Sequence, residues 1–494
     1  MPIKRICFFI LFFSNVVLSQ TIQNTVGSYT ITFEANEPLF PAVVAEIYVS
    51  QGKLLMATGG GIDHYPNQWA SFVKNLLVKD SLGRVMSTRS LGKNGWEVEG
   101  NLTGRVSLSY RVDLSFTKEK WPPGNEQAGI WFDKMLYVIT KPLFIASDVQ
   151  GHRVVTVNVP SGWKVSVPWL NHASLKNSYL VKELPELIEN SMVVGIHSES
   201  VFREGDFTLR LALLGPMIES TELVASTLRA AVRQAGLLFP NTPPATFLVS
   251  FFYADDDDGE SFETSFGFTT KTRPTKNNIM LWGNNLTHEL LHIWIGGQIA
   301  GEDSGKTEWF EEGFSDYFAD VALSRAGLLS EDVFLRKMEK VLARYSYFKI
   351  SSNFPRVSLI EAGKRKGPLR FGVYDAGWTV GLCLDILIRE NTNGTRTLDD
   401  LMRLFYSRYA HTGKNLTNDA FADALEEIAG TEARQFFVKY IGGIERIPVD
   451  EFLGRMGLEA ALQGYAAELW ILKKERLTAG EQALFEGILK GRKN

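Results

Sequence analysis

Between about residues 25 and 215 apolar side chains recur at every second position, and near Pro216 that period is lost. The clearest run, Val106-Ser-Leu-Ser-Tyr-Arg-Val-Asp-Leu-Ser-Phe116, sends six apolar side chains to one face and five polar ones to the other. Such a run makes a half-buried strand. Tyr29, Ile31 and Phe33 alternate in the same way, as do Val155, Val157 and Val159, with turn-forming clusters between the runs. Residues 20–215 are therefore predicted to form an N-terminal β-sandwich. Beyond Pro216, Leu223, Leu228, Ala231, Val232 and Leu237 take a helical spacing, Thr246–Tyr253 reads as one more strand, and helices dominate from Asn284 onward. This predicts a multidomain α+β chain whose middle is mixed and whose last third is all-α, with a helical tail at 458–494. The tail rests on Leu469, Ile471, Leu472, Leu477 and Leu484.

Length and charge narrow the functions. At roughly 150 residues per domain, 494 residues allow about three domains. A formal net charge of -4 offers no broad basic surface, so nucleic acid is not an expected partner. Lys4 and Arg5 precede the apolar run Ile6–Leu18, which has the size of an export-signal core, so 1–19 are expected to be a signal peptide removed near Ser19-Gln20. No later run approaches the about 20 apolar residues of a membrane span. The expected location is secreted or periplasmic, without stable membrane insertion. Of the two cysteines, Cys7 falls in the signal and Cys383 in the apolar run Gly381-Leu-Cys-Leu-Asp-Ile-Leu, where it reads as a small buried hydrophobe. Thr58-Gly-Gly-Gly61 lacks the lysine of a phosphate loop, and Asp255–Asp258 lacks the alternating ligands of a calcium loop.

Chemistry concentrates in Thr287-His-Glu-Leu-Leu-His-Ile-Trp294. With 7 histidines and 56 acidic residues in the chain, chance placement gives about 0.01 copies of His-acid-x-x-His. On a helix, His288 and His292 project from one face a turn apart, so both imidazoles reach a single zinc. Glu289, next to the first ligand, is free to face water activated by the metal. A catalytic zinc takes three protein ligands and leaves one position open. Downstream, Trp309-Phe-Glu-Glu-Gly-Phe-Ser-Asp-Tyr-Phe318 offers two adjacent glutamates, of which a helix directs only one at the metal. Glu312 is the choice: Asp316, four residues on, then shares its face and is placed to accept the free ring N–H of a ligating histidine. Glu311 is the alternative, and it would turn Asp316 away. His64, His152, His172, His197 and His411 show no ligand spacing.

These residues resemble the gluzincin metallopeptidases, most closely the glycyl aminopeptidase family and more distantly the aminopeptidase N family. The likeness runs through His288-Glu-Leu-Leu-His292, Trp309-Phe-Glu-Glu-Gly313, Phe314-Ser-Asp-Tyr-Phe318, Tyr374-Asp-Ala-Gly377 and Leu384-Asp-Ile-Leu-Ile-Arg389. It covers most of residues 25–457. It implies a thermolysin-like catalytic domain carrying the histidine helix at 216–330, with 331–457 completing the cleft, and one zinc per chain. In the family the glutamate before glycine, here Glu312, is the third ligand. Tyr374 takes the place of the tyrosine that stabilises the oxyanion, although the family's nearby lysine is Ala376 here. A glycine-rich edge strand of the family ends in a glutamate that holds the substrate's free amine. The corresponding stretch is Gly259-Glu-Ser-Phe-Glu-Thr-Ser265, which puts Glu263 in that role but lacks the adjacent glycines.

The expected function is zinc-dependent hydrolysis of peptide bonds, by the resemblance as an aminopeptidase favouring glycine or alanine at the N-terminus. A zinc endopeptidase of the same fold is the enzymatic alternative, since without a positioned amine anchor the cleft accepts internal bonds. A non-catalytic peptide-binding or scaffold protein retaining the fold is the alternative of another class.

Overall fold

The computed structural model describes residues 25–491 apart from 61, 101, 116–127, 133, 241, 243–245, 254–257 and 464–467. The signal segment at 1–19 and most of the Asp255–Asp258 run lie outside the described residues. The chain is α+β, with several sheets followed by a helical C-terminal region.

The alternating runs form the strands their pattern predicts. Gly104–Val112 buries Val106, Leu108, Tyr110 and Val112 and turns the intervening residues outward. Thr25–Thr32 buries Tyr29 and Ile31, pairing parallel with His152–Asn158 and antiparallel with Ala42–Val49. Together with Val73–Lys79 and shorter strands these build an eight-stranded sheet. A four-stranded sheet centred on Met135–Ile139 and Ser191–Gly195 shares its core. Two long-range hydrogen bonds tie that core to the segment after Ile139: Tyr29 donates to Ile145 O at 3.1 Å and Tyr110 to Leu143 O at 2.8 Å.

A further sheet carries the chemistry. Its strands are β1 (Ser198–Glu204), β2 (Phe207–Leu213), β3 (Thr246–Tyr253), β4 (Asp258–Ser261) and β5 (Ser265–Thr270), in the order β1-β2-β3-β5-β4. Residues 198–213, which their period places with the N-terminal sandwich, belong here instead: β2 pairs parallel with β3. Period two marks a strand but not its sheet. The partner arrives only after the crossover helix α1 (Thr221–Leu238). Both faces of the sheet are covered. Leu209, Leu211, Val249, Phe251 and Phe268 join the helical core, while Ala212, Leu248 and Phe252 join the N-terminal core. Tyr137 packs there on Phe252 at 5.3 Å between ring centroids.

Four helices then matter for function: α2 (Ile279–Leu291), α3 (Glu308–Arg325), α4 (Glu331–Ile350) and α5 (Arg370–Asn391). α5 is long and apolar, but 89% of its most apolar window is buried inside the protein, so it is a core helix here. Cys383 is completely buried on it, and burial pushes the thiol pKa well up. The predicted helical tail differs: Leu458–Gln463 and Glu468–Lys473 form an antiparallel hairpin, and only Ala479–Lys490 is helical. The three-residue step from Leu469 to Leu472 imitates a helix. In the folded chain Ile471 faces the core and its N–H donates to Glu339 Oε1 at 2.9 Å, while Trp470 and Leu472 are exposed.

Candidate metal centre

The site begins with a helix end. A capping box between Thr275 and Asn278 starts the turn ahead of α2, and Trp282, Leu286 and Leu290, four residues apart, bury one face. His288 lies in the last turn. His292 follows the helix but keeps helical dihedrals (φ -61°, ψ -18°), so the turn-apart relation of the imidazoles persists. Their Nε2 atoms lie 3.0 Å apart. Glu312 of α3 brings Oε2 to 3.2 Å from His288 Nε2 and 3.5 Å from His292 Nε2.

The convergence depends on a close helix crossing. A Cβ on Gly313 would lie 2.3 Å from Gly377 Cα, and one on Gly377 would lie 2.1 Å from Trp309 O. α3 and α5 therefore meet backbone to backbone, which only glycine permits. That contact sets Glu312 beside Tyr374, whose ring stacks 6.1 Å from the His288 ring at an interplanar angle of 23°. The Arg370 guanidinium lies 4.4 Å above the same phenol ring and Lys366 Nζ 5.7 Å.

The donor set fits a metal. One nitrogen from each imidazole and one carboxylate oxygen, all within 4.8 Å of one another, form the only such group of three or more ligand-type side chains among the described residues. Two nitrogens and one oxygen suit zinc with a position left open. The outer contacts orient these donors. His288 Nδ1 is 3.1 Å from Asp316 Oδ1, and His292 Nδ1 is 3.0 Å from Ile295 O. Lys366 pairs with the other Glu312 oxygen, Oε1, leaving Oε2 to the histidines, and also lies 3.1 Å from Glu308 Oε2.

Electrostatics match that arrangement. Burial alone would lower the His288 pKa, but contacts to Asp316 and Glu312 and the charges of Asp316 and Glu289 outweigh it and push it up to about 10. Burial opposes ionisation of Glu312 as well. The His292 charge, contacts to both imidazoles and the charge of Lys366 nevertheless hold its carboxyl well below the usual range. Burial, reinforced by the Glu312 charge, raises the Tyr374 pKa far above the ordinary phenol value, so this O–H keeps its proton at neutral pH.

Glu311 points elsewhere: it accepts from Thr307 Oγ1 at 2.8 Å and packs beside Gly296 and Gly301. Glu289 faces the edge strand β4, where Ser261 Oγ donates to its Oε2 at 2.6 Å. Glu263 is not in the donor cluster. It sits in the turn after β4, its N–H donating to Glu189 O at 3.0 Å, and burial together with the charges of Glu186, Glu183 and Glu189 raises its pKa. Lys366, Ser261 and the Gly313–Gly377 contact were not singled out by sequence reasoning. Gly313 and Gly377 stand inside quoted motifs, which was the available signal. Lys366 lies 54 residues from Glu312 and left none.

Fold, family likeness and donor set support a zinc metallopeptidase. The particular likeness is to the M61 glycyl aminopeptidases, whose family model matches residues 283–354, the stretch holding all three donors. Among solved structures the fold is similar to an aminopeptidase N family protein from Idiomarina loihiensis, with TM-score 0.74, 16% identity, and 88% of this chain and 79% of that one covered. It is also similar to the M1 zinc metallopeptidase of Deinococcus radiodurans, with TM-score 0.57, 14% identity, and 86% and 95% covered. A variant of the latter bound to a Tyr-Ser-Ala substrate gives TM-score 0.56 at 14% identity over the same shares, 86% and 95%. No curated protein matches. The family and its more distant relative are thus those to which the sequence motifs point.

Proposed function

We propose that this chain is an aminopeptidase that removes small N-terminal residues, glycine or alanine, from peptides with one zinc held by His288, His292 and Glu312. The observation that carries this reading is the convergence of those three side chains beside Tyr374 and Glu289. Zinc in that position supplies Lewis acidity to a scissile carbonyl and to water. Glu289 takes a proton from the attacking water and delivers it to the leaving amine. Tyr374, kept protonated, donates to the oxyanion of the tetrahedral intermediate. Asp316 fixes the His288 ring through Nδ1, and Lys366 leaves Glu312 one oxygen for the metal. The organisation that goes with this reading is a thermolysin-like unit with the helices beyond residue 331 closing the cleft.

Amino-terminal specificity rests on Glu263. Glu263 is exposed, but the charges of Glu186, Glu183 and Glu189 make its surroundings unfavourable for an isolated carboxylate, and a substrate ammonium relieves that repulsion. Glu289→Gln tests the mechanism: metal content by mass spectrometry stays at the wild-type level while turnover falls by about 10²-fold or more. Wild-type turnover in that variant overturns the mechanism. Peptides with free and acetylated N-termini decide the specificity, because an amine anchor has nothing to bind in the blocked substrate. Equal cleavage of both makes the chain an endopeptidase, and a protein that binds peptide without cleaving either is the scaffold.

A further inference from the structure

The edge strand β4 does more than border the sheet. Ser261 Oγ lies 2.6 Å from Glu289 Oε2 and 3.1 Å from Glu289 O, so one hydroxyl proton serves both the carboxylate and the backbone of the same residue. That backbone carbonyl is available because α2 ends there: Ile293 N–H donates to Leu290 O at 3.2 Å, one residue short of the α-helical partner. On the other side of the carboxylate, Gly259 has no side chain to intrude. A Cβ there would lie 2.5 Å from Glu289 Oε1 and 2.9 Å from its carboxyl carbon. Register explains the pair. Gly259 is opposite Phe268 and Ser261 opposite Phe266, two positions apart on β4, so both address the same face, where Glu289 lies between them.

We infer that Ser261 is a positioning residue for Glu289, with Gly259 keeping clear the space into which the carboxylate is turned. A glutamate side chain has three rotatable bonds, and a base that must reach a water beside the metal loses rate when it samples other rotamers. Ser261 removes that freedom by binding one carboxylate oxygen and the base's own backbone. This rests on the reading of Glu289 as the base.

The test is a double-mutant cycle on the zinc-loaded enzyme with an alanyl peptide as substrate. Ser261→Ala is expected to lower kcat by about 10- to 100-fold with KM within about twofold and zinc stoichiometry unchanged. Ser261→Thr, which retains the hydroxyl, restores most of the loss. In a Glu289→Gln background Ser261→Ala costs no further rate, because the group it positions is gone. Gly259→Ala, which displaces the same carboxylate from the other side, reproduces the kcat loss. If Ser261→Ala lowers the melting temperature but leaves kcat within twofold, the serine is only a helix-end cap and the inference fails. A rate loss that adds in full to that of Glu289→Gln also overturns it. Failure of the base assignment itself is distinct: Glu289→Gln alone would then keep wild-type turnover.

Discussion

Loading the site with zinc at different pH values tests the electrostatics of the centre directly. In the metal-free protein His288 holds a proton up to about pH 10, because Asp316 and Glu312 overcome the opposing effect of burial. A metal must displace that proton. The penalty on affinity is tenfold for each pH unit below the imidazole pKa, or about a thousandfold at pH 7 and tenfold at pH 9. Zinc affinity is therefore expected to climb by about 10²-fold between pH 7 and pH 9, where an ordinary imidazole titrating near 6.5 would already have levelled off. Competition against a chelating indicator, corrected for the indicator's own protonation, measures the climb. Calorimetry in two buffers of different ionisation enthalpy should count at least one proton released per zinc at pH 8. Asp316→Asn removes one charge that raises the imidazole, so the climb shrinks and its plateau moves to lower pH. The sign for folding is also fixed. A raised folded-state pKa gives metal-free protein a stability contribution fully present below 6.5 and lost as pH rises through about 10. Affinity that is flat above pH 7, with no proton released, refutes the account.

Three further outcomes follow from the geometry. Glu312→Gln should abolish stoichiometric zinc while Glu311→Gln keeps it, since only the first reaches the histidines; metal content after dialysis decides, and the reverse result would move the third ligand to Glu311. Tyr374→Phe should cut kcat by about 10²- to 10³-fold with zinc retained, the usual cost of one oxyanion donor, and an unchanged kcat removes the phenol from catalysis. Gly313→Ala should destabilise the fold by about 3 kcal/mol or more in thermal or denaturant unfolding, because the new methyl meets the backbone of Gly377 at 2.3 Å and neither helix has a side chain that can yield. A change below about 1 kcal/mol would mean that the two helices separate easily.

The sequence determined whatever a local period can carry. Two histidines four apart share a helix face wherever that helix packs, and alternation in Val106–Val112 makes a strand whichever sheet receives it. The burial of Cys383 followed likewise from the apolar run around it. Tertiary structure decided what depends on a partner distant in the chain. It joined β2, and through it β1, to β3, paired Leu458–Gln463 with Glu468–Lys473 against α4, and turned Glu312 rather than Glu311 to the imidazoles. It also delivered Lys366 from 54 residues away and Ser261 from 28 to hold a ligand and a neighbouring carboxylate. Periodicity is set by backbone geometry within a few residues, whereas these contacts exist only after sheets and helices pack, and a residue's neighbours in the chain carry no record of them.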